Sequence, residues 1–360
     1  MTFLAPIRQR AHLLVITIKA KLLRALILTY AHLRPHQKPT PDIVEYIPAT
    51  SNTTKTSKDR TRKIKTYIYL PPKQTPSSSS STPTPTPTPD PSPSPVLITA
   101  CGSGFIIPGL GLDDPYCHTI ATKTSHVVID IDYRVAPENP FPSAINDVIS
   151  VVNWVLSQPA RFDKSRISIG GFSAGGNIAA SVAANYFPPG TFAALVGFYP
   201  VVDASHKPGE KVPVLPVEGW RDANGKGKGK GKGKDGGSQT PKPPLGGMGS
   251  VPDGLMVFMR DCYLAGDVSE GLVKDPRVSP VYAEKERFPC RVCFVTCEYD
   301  VLAREAEELA ERIKERREVV VHRVKGCGHA FDKNCKPGSE REKVRDQVYD
   351  IVAEFLRGDE

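Results

Sequence analysis

The feature that most constrains this chain is an alternation. Between residues 96 and 357, short unbroken apolar runs alternate with segments of helical periodicity. "SHVVIDIDYR" (125–134), "RISIGGF" (166–172), "FAALVGFYPV" (192–201), "RVCFVTC" (291–297) and "VVVHRV" (319–324) read as strands. Unbroken apolar strands are those covered on both faces, and that is the habit of parallel sheets. Between them lie helical stripes: Ala144, Val148, Val151, Val152 and Val155; the small-residue run 174–186; Leu302, Ala306, Leu309 and Ile313; and Val344, Val348, Ile351, Val352 and Phe355. Parallel strands need crossovers of about this length, and the helices pack back onto both faces. The expectation is an α/β fold with a mostly parallel, doubly wound sheet of about eight strands, helices on both faces, and sites beyond the carboxyl ends of the strands. A chain of 360 residues is long enough for one large core or two smaller domains.

Two segments interrupt the pattern. Residues 74–95 are Pro/Ser/Thr alternation, which can neither donate a sheet ladder nor build a core. Because both flanks read as strands, this stretch is expected to be an inflated, disordered hairpin loop. Residues 222–250, centred on "GKGKGKGKGKDGG", read as a second disordered segment within a cap or insert region at 203–265. The net charge of +8 is concentrated in few places: seven basic residues and no acid in 1–41, and five lysines between 226 and 234. The remainder is acidic overall, so no basic surface belongs to the folded body, and nucleic acid is excluded as a partner. In residues 1–41 the sequence predicts a basic, imperfectly amphipathic helix with Thr17, Lys21 and Arg24 on one face. Three roles stay open for it: membrane-surface contact through residues 1–34, organelle targeting, or a packed part of the cap. Cys290 and Cys293 point to opposite faces of a strand, so no zinc site is expected, and no metal or cofactor is called for. The eight cysteines read as mostly free thiols in a reducing, intracellular and cytoplasmic setting, with membrane association or organelle targeting as the alternatives.

The reactive residue types fall at strand ends. Strand 166–172 runs into Gly171-Phe172-Ser173-Ala174-Gly175, a G-x-S-x-G pattern in which glycines on either side leave room for a tight turn that thrusts the serine into the cleft. A serine nucleophile needs a base, and the base an orienting acid, in the order Ser, acid, His. Asp300 follows the strand 291–297, and His329 follows the last strand in a glycine-bounded loop. Glu298 and Asp332 are rival acids. Gly102-Ser103-Gly104 follows an earlier strand, and "FIIPG" after it cannot start the helix that a phosphate loop requires. This loop and the amide of Ala174 are therefore candidate donors to an oxyanion, with Ser103 and Gly104 contributing main-chain N–H groups. Phe105 and Phe172, flanking donors and nucleophile, are assigned to substrate contact.

"DYRVAPENPFPSAINDV" (132–148), "GFSAGGN" (171–177), "DPRVSP" (275–280), "EYDVL" (298–302) and "GHAF" (328–331) together resemble the hormone-sensitive-lipase-like family of α/β-hydrolase esterases and lipases. The resemblance covers roughly 95–205 and 253–357, with entry strands near 43–71. It implies an α/β-hydrolase domain over 42–360 with a small helical cap. It also implies hydrolysis of carboxylic esters of small to medium acyl groups by Ser173, His329 and Asp300 through an acyl-enzyme. A non-catalytic small-molecule receptor, or a lactone or amide hydrolase, is the alternative on the same fold, and oligomeric state is not legible. Two departures stand out. The family's H-G-G-G reads Cys101-Gly102-Ser103-Gly104, which works only if Ser103 keeps a negative φ or bears some strain, and Phe172 replaces an acid beside the nucleophile.

Overall fold

The computed structural model describes residues 5–32, 38–50, 62–72, 92–207, 210–211, 242–249 and 251–358. In chain order the elements are α1 (Ala5–His32), β1 (Ile43–Pro48), β2 (Lys63–Tyr69), β3 (Ser94–Ala100), α2 (Asp114–Thr124), β4 (Val127–Ile131), α3 (Ser143–Leu156), β5 (Phe162–Phe172) and α4 (Ala174–Asn185), followed by β6 (Ala194–Phe198), α5 (Asp253–Tyr263), α6 (Glu270–Val273), β7 (Arg291–Cys297), α7 (Ala303–Ile313), β8 (Glu318–Val324) and α8 (Glu340–Arg357). Eight strands form one sheet in the order β1-β2-β4-β3-β5-β6-β7-β8. The β1–β2 and β2–β4 pairs are antiparallel, and every pair from β4 through β3 to β8 is parallel. The mostly parallel sheet of about eight strands expected from the alternation is what the chain forms.

β3, β4, β6, β7 and the second half of β5 are buried on both faces, which is why they lack a period-two pattern. One core cluster fills the side carrying α3, α4 and α7, around Ile98, Ile129, Val151, Ile169, Ile178 and Phe294. The other side is packed by α2 and α8 around Leu97, Tyr116, Val128, Phe198, Val295 and Tyr349. Register then sets the working edge. Ala100 pairs with Gly171, Phe172 with Phe198, and Cys297 with Val324, so the carboxyl ends of β3, β5, β6, β7 and β8 form one rim.

Two expectations are corrected here. The segment 74–95 is not a hairpin loop, because β4 lies between β2 and β3 in the sheet; two strands adjacent in sequence need not be adjacent in space. Residues 94 and 95 already belong to β3, and the disorder expected for 74–91 lies outside the described residues. In the second insert, 222–241 likewise lies outside them, whereas 242–249 is docked. Leu245 N donates to Gly326 O (3.0 Å), Gly328 N to Gly246 O (3.0 Å) and Met248 N to His329 O (2.8 Å). Proline- and glycine-rich composition speaks against a self-supporting element, but it does not forbid a strap held by a neighbour's backbone. The N-terminal helix forms, and on it Arg24 faces the body. Its Nε donates to Ile106 O (2.6 Å) and its terminal nitrogens to Glu138 (2.9 and 2.8 Å) and to Ala136 O, so it turns inward. Cys290 is exposed, while Cys293 and Cys297 are buried in β7.

Candidate active site

The elbow between β5 and α4 is made possible by what its neighbours lack. A Cβ on Gly171 would lie 2.6 Å from the Ala100 carbonyl oxygen, and one on Gly175 would overlap that same oxygen outright. The two glycines therefore let α4 start directly against the end of β3. Ser173 takes up the turn with φ 50° and ψ −115°, a conformation disfavoured for a residue with a side chain. Its amide donates to Phe198 O (2.9 Å) and its carbonyl accepts from Asn177 N (3.1 Å), so the strained residue is held from both sides.

His329 and Asp300 arrive at the same rim from β8 and β7. His329 Nε2 lies 3.0 Å from Ser173 Oγ, and His329 Nδ1 lies 2.6 Å from Asp300 Oδ2. The other carboxylate oxygen, Asp300 Oδ1, accepts from Leu302 N at the head of α7 (3.1 Å). All three residues are buried, Ser173 least so. The acid and histidine loops are stitched together by Glu298 N donating to Val324 O (3.1 Å) and Tyr299 N to Cys327 O (3.0 Å). The rival acids are occupied elsewhere. Glu298 Oε2 accepts from Gly326 N (2.7 Å), and Asp332 accepts from the hydroxyls of Tyr199 (2.6 Å) and Tyr349 (2.8 Å) while pairing with Lys333. Lys333 also pairs with Asp113; burial still pushes that carboxyl up to about 6, against the pull of the ammonium. This buried knot sits just beyond the histidine, and the Tyr199 ring lies 4.6 Å from the imidazole.

Around the 101–105 loop, the left-handed conformations fall on Gly104 (φ 54°) and Phe105 (φ 65°). Ser103 is spared, so its side chain imposes no backbone strain. The Phe105 amide is consumed by Ser103 Oγ (2.9 Å), while the amides of Ser103, Gly104 and Ala174 donate to no atom among the described residues outside α4. Amides at a helix start have no intrahelical partner, so Ala174 is free by construction. Sequence reading missed what holds this loop. The Tyr133 hydroxyl lies 2.7 Å from the Cys101 carbonyl and 2.6 Å from Ser103 Oγ. With one proton per hydroxyl, both contacts are satisfied when Tyr133 donates to the carbonyl and Ser103 to Tyr133. Tyr133 belongs to "DYR", and the same motif supplies Arg134, clamped to the buried Asp147 (Nη2–Oδ1, 2.9 Å).

Phe105 lines the pocket above Ser173, its ring stacked on Tyr263 at 4.0 Å. Phe172 does not, and its assignment to substrate contact is corrected. It is fully buried, stacked on Phe198 at 4.4 Å and edge-on to Tyr116 at 5.2 Å, with Lys333 Nζ 3.7 Å from its ring centroid. As the last residue of β5 it projects to the side opposite Ser173. The pocket is otherwise walled by Val201, Val251, Met256, Met259 and Leu302, with a polar margin of Asp203, His206, Lys211 and Arg260. Glu305, also missed, braces that margin from α7: Oε1 accepts from Val202 N (2.9 Å) and Oε2 pairs with Lys211. It lies on the apolar stripe of α7, three residues past Leu302, and a lone acid on a buried stripe was the available signal.

Comparison with known proteins adds the lineage. A family profile described as "alpha/beta hydrolase fold" matches residues 97–218 and 248–333, more than half of the chain. Carboxylesterase NlhH of Mycobacterium tuberculosis is 40% identical over 90 residues, 24% of this chain and 28% of that protein, so the chain spans little more than a quarter of that relative's length. An AB hydrolase superfamily protein of Schizosaccharomyces pombe, C1039.03, is 27% identical over 241 residues, 63% of this chain and 60% of that one. Among solved structures, EstE1, a thermostable carboxylesterase cloned from a metagenomic library, superposes with a TM-score of 0.64 at 24% identity, covering 94% of this chain and 97% of that one, a likeness of fold. The segments 132–148, 171–177, 275–280, 298–302 and 328–331 all fall inside the matched residues, and the chain belongs to the α/β-hydrolase fold family, in its hormone-sensitive-lipase-like group.

Proposed function

We propose that this chain is a serine carboxylesterase acting on esters of small to medium apolar acyl groups. The observation that carries the reading is the unbroken line from Asp300 through His329 to Ser173 Oγ, with free amides beside it. His329 Nε2 takes the proton of Ser173 as its oxygen attacks the ester carbonyl. The tetrahedral oxyanion is met by the amides of Ser103, Gly104 and Ala174, each such donor worth about 3–4 kcal/mol of barrier. His329 then hands the proton to the leaving alcohol, and the acyl group stays on Ser173. In the second half, His329 takes a proton from water, hydroxide attacks the acyl carbon, and the carboxylic acid departs as Ser173 regains its proton. Asp300 fixes the imidazole tautomer and stabilises its transient charge. The apolar walls at Phe105, Val201, Met256, Met259 and Leu302 favour an uncharged acyl chain. Relatives bearing the names carboxylesterase, lipase and esterase support the same reaction class.

The test is hydrolysis of a p-nitrophenyl acyl series by wild type and Ser173→Ala. Loss of at least about 10⁴-fold in kcat, with binding retained, is expected. Turnover that survives the substitution sinks the assignment. A folded wild type that binds acyl ligands and cleaves none indicates a receptor on this scaffold instead.

A further inference from the structure

We propose that helix α1 docks this protein on an anionic lipid surface. The inference is independent of the ester-hydrolase reading. One face of α1 is fixed to the body. Ile16 and Ala20 are buried with Ile106, Ala136 and Cys262, and Leu23, Phe258 and Met259 close around them. Arg24 clamps the same side to Ile106 O and Glu138. The helix is therefore held in one orientation, and its other face is left outward.

That outward face is apolar. Leu14 (61% exposed), Ile18 (49%), Leu22 (66%) and Leu26 (68%) stand outward together with Val15. At 100° per residue these five fall within an arc of about 120°, and from Leu14 to Leu26 the stripe runs about 18 Å. Exposed Lys19 borders one edge of the arc, and exposed Lys21 and Arg10 border the other. The whole helix contains no acid. Apolar residues on both sides of the helix also explain why its sequence reads as poorly amphipathic.

A row of leucines between two cationic margins matches one kind of partner. The leucines enter the boundary between headgroups and acyl chains, while the lysine stems reach back to anionic headgroups. A second copy of this chain is a poor occupant, because it would bring lysine and arginine margins together with no acid on either helix to offset them. Spanning is not at issue: no helix among the described residues is long and apolar enough to cross a membrane. Docking would place α5 directly behind the lipid-facing helix, and α5 supplies Met256, Met259 and Tyr263 to the pocket wall.

The experiment is co-sedimentation of the full chain with vesicles of phosphatidylcholine alone and of phosphatidylcholine mixed with phosphatidylserine. Wild type should partition onto the mixed vesicles and much less onto the neutral ones. Lys19→Gln with Lys21→Gln should weaken that partition by about fivefold for each lysine. Leu22→Ser with Leu26→Ser should weaken it by about tenfold or more. Both pairs sit at exposed positions, so melting curves and turnover of a water-soluble ester should match wild type. Equal sedimentation of wild type and the serine variant overturns the proposal. So does a concentration-dependent dimer, seen by sedimentation velocity without lipid, that the serine variant abolishes while vesicles capture none of the wild type.

Discussion

The rim that carries Ser173, Asp300 and His329 and the segments packed around its pocket (α1, residues 201–207 and 210–211, and α5, here called the cap) are held by different means. At the rim, position is set by backbone. Ser173 is pinned through its own amide and carbonyl, and the acid and histidine loops are joined by paired main-chain bonds. In the cap, position is set by long side chains that cross the sequence: Arg24 to Ile106 and Glu138, Lys211 to Glu305, and Arg260 Nη1 to His206 O (3.1 Å). Backbone registration leaves little freedom, which suits groups that must meet within a few tenths of an ångström. Side-chain hooks can be exchanged one at a time, which would suit a surface that selects substrates in the proposed esterase. The comparison teaches that mutations in the two regions should fail differently.

The sharpest break is one substitution made in both regions. Gly175→Ala drives a methyl group into the Ala100 carbonyl, backbone against backbone with no flexible atom to yield. It should cost at least about 4 kcal/mol and leave little folded protein. Gly254→Ala, in the first turn of α5, has nothing within 4 Å of the added carbon. It should be neutral or stabilise by about 0.5 kcal/mol. Thermal unfolding of the two variants decides it, and a cap glycine as intolerant as the rim glycine would end the distinction. Next in size is Asp300→Asn, which keeps the shape of the acid and loses its charge. The expectation is a fall of about 10³- to 10⁴-fold in kcat with KM little changed. A change confined to KM would place Asp300 with the cap's side-chain hooks. Smaller again is Tyr133→Phe, which leaves the Cys101 carbonyl and Ser103 Oγ short of a partner. An unpaired buried group costs about 1–3 kcal/mol, so melting should drop by that amount and kcat by about tenfold as the donor loop loosens. Unchanged kcat in a destabilised protein would mean that the loop does not need its tyrosine once folded.

The rim was legible in the sequence and the cap was not, for the same physical reason. Ser173, Asp300 and His329 each follow an unbroken apolar strand, and parallel strands deliver their carboxyl ends to one edge whatever their order. Order itself was not legible: nothing in 63–100 says that β4 intervenes between β2 and β3, so the hairpin reading failed there. Phe172 adjoins Ser173 in sequence but not in orientation, because period-two geometry turns adjacent strand residues to opposite faces. Helix α2 went unread because Pro115 starts a segment whose apolar stripe is only Tyr116, Cys117, Ile120 and Ala121. The strap at 242–249 is joined to the histidine loop by main-chain atoms, which composition cannot report. A Cβ on Gly247 would lie 2.7 Å from Gly328 O, so even there the tight fit appears only once both segments are in place.

The smallest effect tests whether a side-chain hook in the cap is electrostatic. At the pocket margin His206 Nδ1 lies 3.2 Å from Asp203 Oδ2, and Asp203 Oδ1 accepts from Ser205 N (2.7 Å). Burial opposes the Asp203 carboxylate, but the contact with His206 and the hydrogen bonds from Ser205 outweigh it and hold the acid down at about 2. The contact with Asp203 in turn raises His206 above its ordinary value, against partial burial and the nearby Lys211. The signs fix the pH window. The histidine's share of stability is full below about 6.5 and is lost as pH rises through its raised midpoint. The aspartate's share is full above about 3.8 and is lost as pH falls toward 2. The pair therefore tightens the cap most between those limits. In Asp203→Asn the His206 midpoint, followed by NMR, should fall back toward 6.5 or below, and the difference in melting temperature from wild type should be largest near pH 5 and shrink above pH 7. A midpoint that does not move would show that this corner of the cap is held by packing, as the rim is held by backbone, and the contrast between the two regions would narrow to Arg24 and Glu305.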